Sequence, residues 1–250
     1  HTLTQSLRHA GDNVFLQFLN IVRTRVPSQQ LIDAVLGDLV ITQQEAEAYL
    51  TQDCTVLCTH REDTKTYNET MLLKHFCPTN VHQLHMKTNA TGVQDLETWL
   101  KDDNFQTLHG IAIGARVILQ SNLDLSIGAA NGSMGTVTDL KLRDDEVYAI
   151  RVLLDTQETI TVYKMQYAYT HHRGNRYYKA TFPLALGYAI TGHKSQGATI
   201  PGKVLLHVRK AFCPGLLYVM LSRVLSRTQI RLAQSLTMDS FHPVPPSFLI

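Results

Sequence analysis

No apolar run in these 250 residues approaches the ~18–20 residues that a membrane-spanning helix needs, which excludes a transmembrane helix from the reading. Cysteine is scarce. Four in a chain of this length do not make the disulfide framework of a small secreted domain, and a reducing compartment suits them better. An excess of one charge is also lacking: Lys and Arg total 23 against 21 Asp and Glu, a net of +2. Any nucleic-acid role must therefore rest on a local groove rather than on overall charge. The opening residues, His1 to Ser6, have no Met, no basic stretch and no apolar signal-peptide core, and read as the interior of a longer pattern. Repeats and low-complexity segments are missing, and the 12 histidines are scattered. What remains, 44% hydrophobic and 18% charged residues, is the composition of a globular chain able to bury a sizeable core.

The first hundred residues read as α/β. Val14, Phe15, Phe18, Leu19 and Val22 recur at helical spacing with Asp12 placed as a cap. Ser28 caps a second helix through Leu36, and Thr42 with Glu45 has capping-box spacing for a third ending at Leu50. Thr55–Thr59 reads as a buried strand ending in polar residues, followed by a helix from Glu62 to Phe76 that Cys77-Pro78 stops. After Trp99 the texture changes. Runs at Ala115–Gln120, Gly135–Leu142, Val147–Leu154 and Thr159–Tyr163, punctuated by Gly and Asn, predict a small β-barrel or meander over residues 111–182. From Phe182 the α/β rhythm resumes: an apolar approach at Leu184–Ile190, a strand at Lys203–Val208, a helix near Gly215–Val224 and a strand near Gln229–Leu232. The tail, with Pro243, Pro245 and Pro246, is expected to pack poorly.

Two donor-rich runs stand at the ends of apolar segments. Thr191-Gly192-His193-Lys194-Ser195-Gln196-Gly197-Ala198-Thr199 gathers hydroxyls, an imidazole, an ammonium and a carboxamide, with Gly197 allowing backbone N–H groups close to an anion. The plainer reading is a solvated helix start. Arg223, after the apolar stretch Leu216–Leu221, is placed to reach a γ-phosphate as an arginine finger; a surface ion pair is the plainer reading. Cys54, Cys58, His60, His75 and Cys77 do not have zinc-site spacing and read as structural thiols with bystander histidines. Tyr163, Tyr167, Tyr169, His171, His172, Arg173, Arg176, Tyr177, Tyr178 and Lys179 interleave aromatic and basic groups. Base stacking and plain β-propensity account for that segment equally well.

Taken together, these runs resemble a known family. Ala189–Thr199 is similar to motif V, and Gly215–Val224 to motif VI, of superfamily 1B helicases of the Pif/RecD type. Leu3–His9, leading into the Phe15–Arg23 helix, resembles their motif IV, with His9 where Gln is usual. Gly114–Val117, Asn122–Asp124 and Asn131–Val137 resemble the family's inserted β subdomain, and Phe182-Pro183-Leu184 the return from it. The resemblance spans essentially the whole chain; motifs V and VI at this order and spacing are its specific part.

The resemblance implies a second RecA-like helicase domain, of P-loop NTPase type, in residues 1–110 and 183–250, with the β-barrel-like subdomain at 111–182 inserted. It implies ATP between two RecA-like domains and single-stranded DNA across their surface. Arg8 and Arg223 match the γ-phosphate arginines, and Gln196 and Gly197 match positions beside the nucleotide cleft. Thr191, His193, Lys194 and Ser195 match the DNA-backbone grip, and Thr59 and His60 a further phosphate-contacting turn. No G-x-x-x-x-G-K-[ST] occurs in the 250 residues, nor an apolar run ending in paired acids. The phosphate cradle and the Mg2+ ligands are therefore expected in a first domain outside this sequence, and the chain alone is expected not to hydrolyse ATP.

The implied protein is a monomeric 5′-to-3′ DNA helicase acting on single strands and duplex junctions. Its settings would be repair, recombination, replication and telomere maintenance, inside the cell, in the nucleus or the mitochondrion. The alternatives are a non-catalytic single-stranded nucleic-acid-binding module and a protein-interaction domain built on the β insertion.

Overall fold

A computed structural model describes residues 11–89, 107–170, 176–210 and 213–244. In chain order the helices are α1 (Asn13–Thr24), α2 (Gln29–Leu36), α3 (Gln43–Tyr49), α4 (Arg61–His75) and α5 (Leu216–Leu221). The strands are β1 (Cys54–Cys58), β2 (His82–Gln83), β3 (Lys87–Thr88), β4 (Gly110–Ile111), β5 (Arg116–Leu119), β6 (Met134–Arg143) and β7 (Glu146–Leu154). They continue with β8 (Thr159–Tyr163), β9 (Met165–Thr170), β10 (Arg176–Thr181), β11 (Leu184–Leu186), β12 (Ala189–Thr191), β13 (Lys203–His207) and β14 (Ile230–Leu232). Two compact units result: residues up to Met71 together with those from Tyr188 onward, and Leu72–Gly187.

The first unit is built on a parallel four-stranded sheet in the order β12-β1-β13-β14. In β1 both faces are covered from Val56 onward: Val56, Leu57 and Cys58 are fully buried. The helices form where local chemistry asks for them. Asp12 accepts from the Phe15 amide at 3.2 Å, and α1 buries Phe15, Phe18, Leu19 and Val22, one stripe of a 3.6-residue period. Ser28 caps α2, and Thr42 and Glu45 close the capping box of α3. The tail departs from expectation. Phe241 is buried, edge-on to Phe18 at 6.1 Å, and the Val244 amide donates to the Arg23 carbonyl, so the chain is packed as far as Val244 despite Pro243.

The second unit is antiparallel. Its main sheet has the order β11-β5-β6-β7-β8; a second joins β3, β10 and β9, and a third joins β2 and β4. The β6–β7 hairpin turns through Asp144 and Asp145, both at positive φ, the geometry that a two-residue turn between twisted strands requires. Arg116 forks onto Asp155 at 2.7 and 2.9 Å, tying β5 to the end of β7. This unit begins within α4, well before the compositional change at residue 111, because β2 and β3 are two-residue strands too short to leave a periodic signal. The apolar run Leu184–Ile190 likewise hides a break. β11 pairs with β5 in the second unit and β12 with β1 in the first, both fully buried, so hydrophobicity runs on unbroken across Gly187.

Candidate functional site

Three strand ends meet at one edge of the parallel sheet. In the β12–β1–β13 ladder, Cys58 pairs with Thr191 on one side and with His207 on the other. The chain leaving each strand at that level carries polar groups: Thr59-His60-Arg61, Gly192-His193-Lys194, and Arg209-Lys210 beyond Val208. The carboxyl edge of a parallel sheet is where helices begin and loops are free to carry function. Here the helix is α4, with Glu62 and Asp63 in its first turn.

The turn after β12 is self-bonded rather than helical. The Gly192 amide donates to the Cys58 carbonyl at 3.0 Å, the Ser195 amide to the Thr191 carbonyl at 3.1 Å, and the Lys194 amide to the Thr191 hydroxyl at 3.3 Å. The Ser195 hydroxyl, fully buried, donates to the Gly192 carbonyl at 2.7 Å. Gly192 and Gly197 have different reasons to be glycine. A Cβ on Gly192 would lie 2.7 Å from Leu216 Cδ1 and Met220 Cγ, so this glycine lets the turn seat on α5. Gly197 faces open space and is required by its φ of +85°.

Arg223 closes the turn from the other side. It follows α5, whose C-cap is Ser222, and is only 8% exposed. Its guanidinium donates to the carbonyls of Val219 (2.7 Å), Ala198 (3.2 Å) and Ser195 (3.4 Å) and to the Ser222 hydroxyl (2.7 Å), while its own carbonyl accepts from the Ile200 amide. One side chain thus ties the 195–198 loop to the end of α5. His193 and Gln196 face an open cleft of about 620 Å3, whose wall includes Arg23, Cys213 and Tyr218.

Asn68, on α4, is nearly fully buried and acts as a backbone surrogate for the edge strand β12. Its amide donates to the Ala189 carbonyl at 2.9 Å and its carbonyl accepts from the Ala189 amide at 2.8 Å. At the row of strand ends, partial desolvation of the Lys194 ammonium, with the Arg61 guanidinium second, lowers its pKa although the residue as a whole stays exposed. Burial also lowers the half-buried His207 imidazole, against the pull of Asp63. Among the described residues no group of three or more His, Cys, Asp or Glu is placed to hold a metal ion.

No protein-family model matches the chain. Its relatives are nevertheless consistent. The human ATP-dependent DNA helicase PIF1 is 30% identical over 230 residues, 92% of this chain and 34% of the relative. The structure of Bacteroides Pif1 bound to ssDNA superposes with a TM-score of 0.74 at 25% identity, covering 98% of this chain and 54% of that one. A structure of two coordinating Pif1 helicases, solved for DNA unwinding at forked dsDNA, gives a TM-score of 0.74 at 26% identity, covering 98% of this chain and 52% of that one. The chain is a relative of the Pif1 helicases. It spans about a third of the human protein's length and about half of the solved chains, and its parallel-sheet unit has their RecA-like fold.

Against that Pif1 background, the residues singled out from sequence divide by exposure. His193, Lys194, Gln196 and Gly197 are exposed, and His60 is partly so. Thr59 (1%), Thr191 (8%) and Ser195 (0%) are turned inward, where their polar groups shape the turns. Thr59 bonds to His60 Nδ1 at 2.9 Å. Arg8 and the motif IV stretch lie outside the described residues, as do His171, His172 and Arg173. Of the aromatic-basic segment, Arg176 and Tyr178 are exposed, but Lys179 is fully buried beside its register partners Tyr167 and Thr88. Asn68, Asp63, His207 and Arg209 escaped the sequence reading. None belongs to a run, and only the alignment of β1 with β12 and β13 brings them to the site.

Proposed function

We propose that this chain is the second RecA-like half of an ATP-dependent DNA helicase that moves 5′ to 3′ on single-stranded DNA and opens duplex junctions. The observation that carries the reading is the row of strand ends, which sets the 59–61 and 191–194 turns side by side as one donor-rich edge. Such an edge suits sugar-phosphate backbone, where amides, hydroxyls and cations position a strand without reading its sequence. The Pif1 relatives support ATP and ssDNA as the ligands. We take Lys194, His193 and His60 as the outward contacts, with Thr191, Ser195 and Thr59 holding their backbones in place.

ATP with Mg2+ would supply the phosphoryl group and the cation that offsets its charge. The residues present fit a contribution in trans: an arginine anchored beside the loop, with no Gly-rich Lys-Ser/Thr turn anywhere in the sequence. Arg223 Nη1 already donates to the Ser195 and Ala198 carbonyls, so in this reading the same guanidinium that senses nucleotide also sets the shape of the DNA-gripping turn. Arg8 would be its companion. The inserted unit, monomeric action, a place in DNA repair, recombination, replication or telomere maintenance, and a nuclear or mitochondrial site complete the proposal.

Phosphate release tests it. The 250 residues with excess single-stranded DNA should show no turnover, and joining them to a P-loop half should restore it. Turnover by the chain alone would refute the trans site; salt-dependent DNA binding without restored turnover would favour the non-catalytic binding module.

A further inference from the structure

The residues that best extend this reading are those around Asp63, in the first turn of α4. Its Oδ2 is buried and receives no hydrogen bond. Three groups surround that oxygen without bonding it, two from the end of β13 onward and one from the turn before α4: Arg209 Nε at 3.5 Å, His207 Nε2 at 3.8 Å and His60 Nδ1 at 4.0 Å. Arg209 Nη2 also donates to Glu62 Oε2 at 3.4 Å, and His207 Nδ1 lies 3.3 Å from the Tyr67 hydroxyl. A carboxylate oxygen kept from water with no hydrogen bond is costly unless cations compensate it. Here the compensation comes through space, at separations longer than charge-assisted bonds adopt. Such pairs are readily exchanged for a better anion.

That anion is close at hand if the strand-end row carries DNA. His207 pairs with Cys58, which pairs with Thr191, so the end of β13 continues the row without a break. Arg209, half exposed, presents a planar fork suited to a phosphate. We propose that His207 and Arg209 form an additional backbone-phosphate contact for single-stranded DNA, held in readiness by the Asp63 carboxylate with which the phosphate competes. The inference rests on the helicase reading and extends its grip from two turns to three. Neither residue matches any motif recognised in the sequence.

A pH signature follows. Burial holds His207 below the ordinary imidazole value, and His60 and Arg209 push the same way while Asp63 opposes them; Tyr67 faces its other ring nitrogen and Cys58 lies on the adjoining strand. An arriving phosphate adds negative charge and favours the imidazolium, so binding takes up a proton and tightens as pH falls.

The test is fluorescence-anisotropy titration of the full chain with labelled oligothymidylate over a range of salt. Arg209→Gln should weaken binding about five- to tenfold and reduce the log–log salt slope by about one, and Arg209→Lys should restore the slope. His207→Gln should reduce the tightening between about pH 8 and pH 6, leaving only the part that His60 and His193 supply. Lys194→Gln is the control within the site already proposed. If it weakens binding while Arg209→Gln and His207→Gln, with unchanged thermal melts, leave affinity, slope and pH profile as they were, the additional contact is overturned and the helicase reading stands. Absence of salt-dependent binding by the unaltered chain would overturn both.

Discussion

Arg223 shows how far a residue's chemistry exceeds what its type suggests. An arginine after an apolar helix invites the choice between a finger on a phosphate and a surface ion pair, yet this one is buried and hydrogen-bonded to four groups of its own fold. Arg223→Ala would leave the Ser195 and Ala198 carbonyls and the Ser222 hydroxyl without this donor. The expected loss is about 1–3 kcal/mol of stability, read from urea unfolding, together with weaker binding of the proposed DNA strand, because the 195–198 loop it ties directly follows His193 and Lys194. DNA binding retained at full strength would show that the loop keeps its shape unaided. Gly192 makes the complementary point. Gly192→Ala places a methyl against Leu216 and Met220 and should cost about 1–3 kcal/mol, although no charge or donor is touched.

At the scale of elements, α4 and β12 are joined by one side chain. Asn68→Ala would strip both partners from the Ala189 backbone at the sheet edge, and an expected loss of about 2–4 kcal/mol would appear as a lower urea midpoint. The β1–α4 pair also sets an alkaline limit. Burial pushes the Cys58 thiol up to about 12, and burial does the same to the Tyr67 phenol, also to about 12. Both stay protonated in the fold where the unfolded chain ionises. Their contribution is whole below the unfolded thiol value near 8.5 and is lost as pH rises toward about 12. Urea midpoints should therefore fall steadily above about pH 9, and Cys58→Ala should shallow that fall. His207 acts in the opposite direction. Its pKa is lowered in the fold, so its contribution is lost as pH drops through the ordinary histidine value near 6.5.

The whole molecule joins a RecA-like unit to an antiparallel unit through α4 and through the passage from β11 to β12. Local chemistry wrote the elements plainly. The Asp12, Ser28 and Thr42 caps, the apolar stripe of α1 and the Val56-Leu57-Cys58 run of β1 each depend on neighbours within a turn or two, so the sequence alone determined them. It also determined the two donor-rich runs and their kinship with helicase motifs, because those are matters of residue type and spacing. Tertiary structure decided which donors face outward. Thr59, Thr191 and Ser195 look interchangeable with His193 and Lys194 in the sequence, but the turns they build consume their hydroxyls or bury them. It also decided that Lys179 leaves the aromatic-basic segment for the interior, and that Asp63, His207 and Arg209 converge. The reason is the parallel sheet. Its register aligns strand ends that lie far apart in sequence, so the edge they form is a property of pairing that no single stretch of the chain contains.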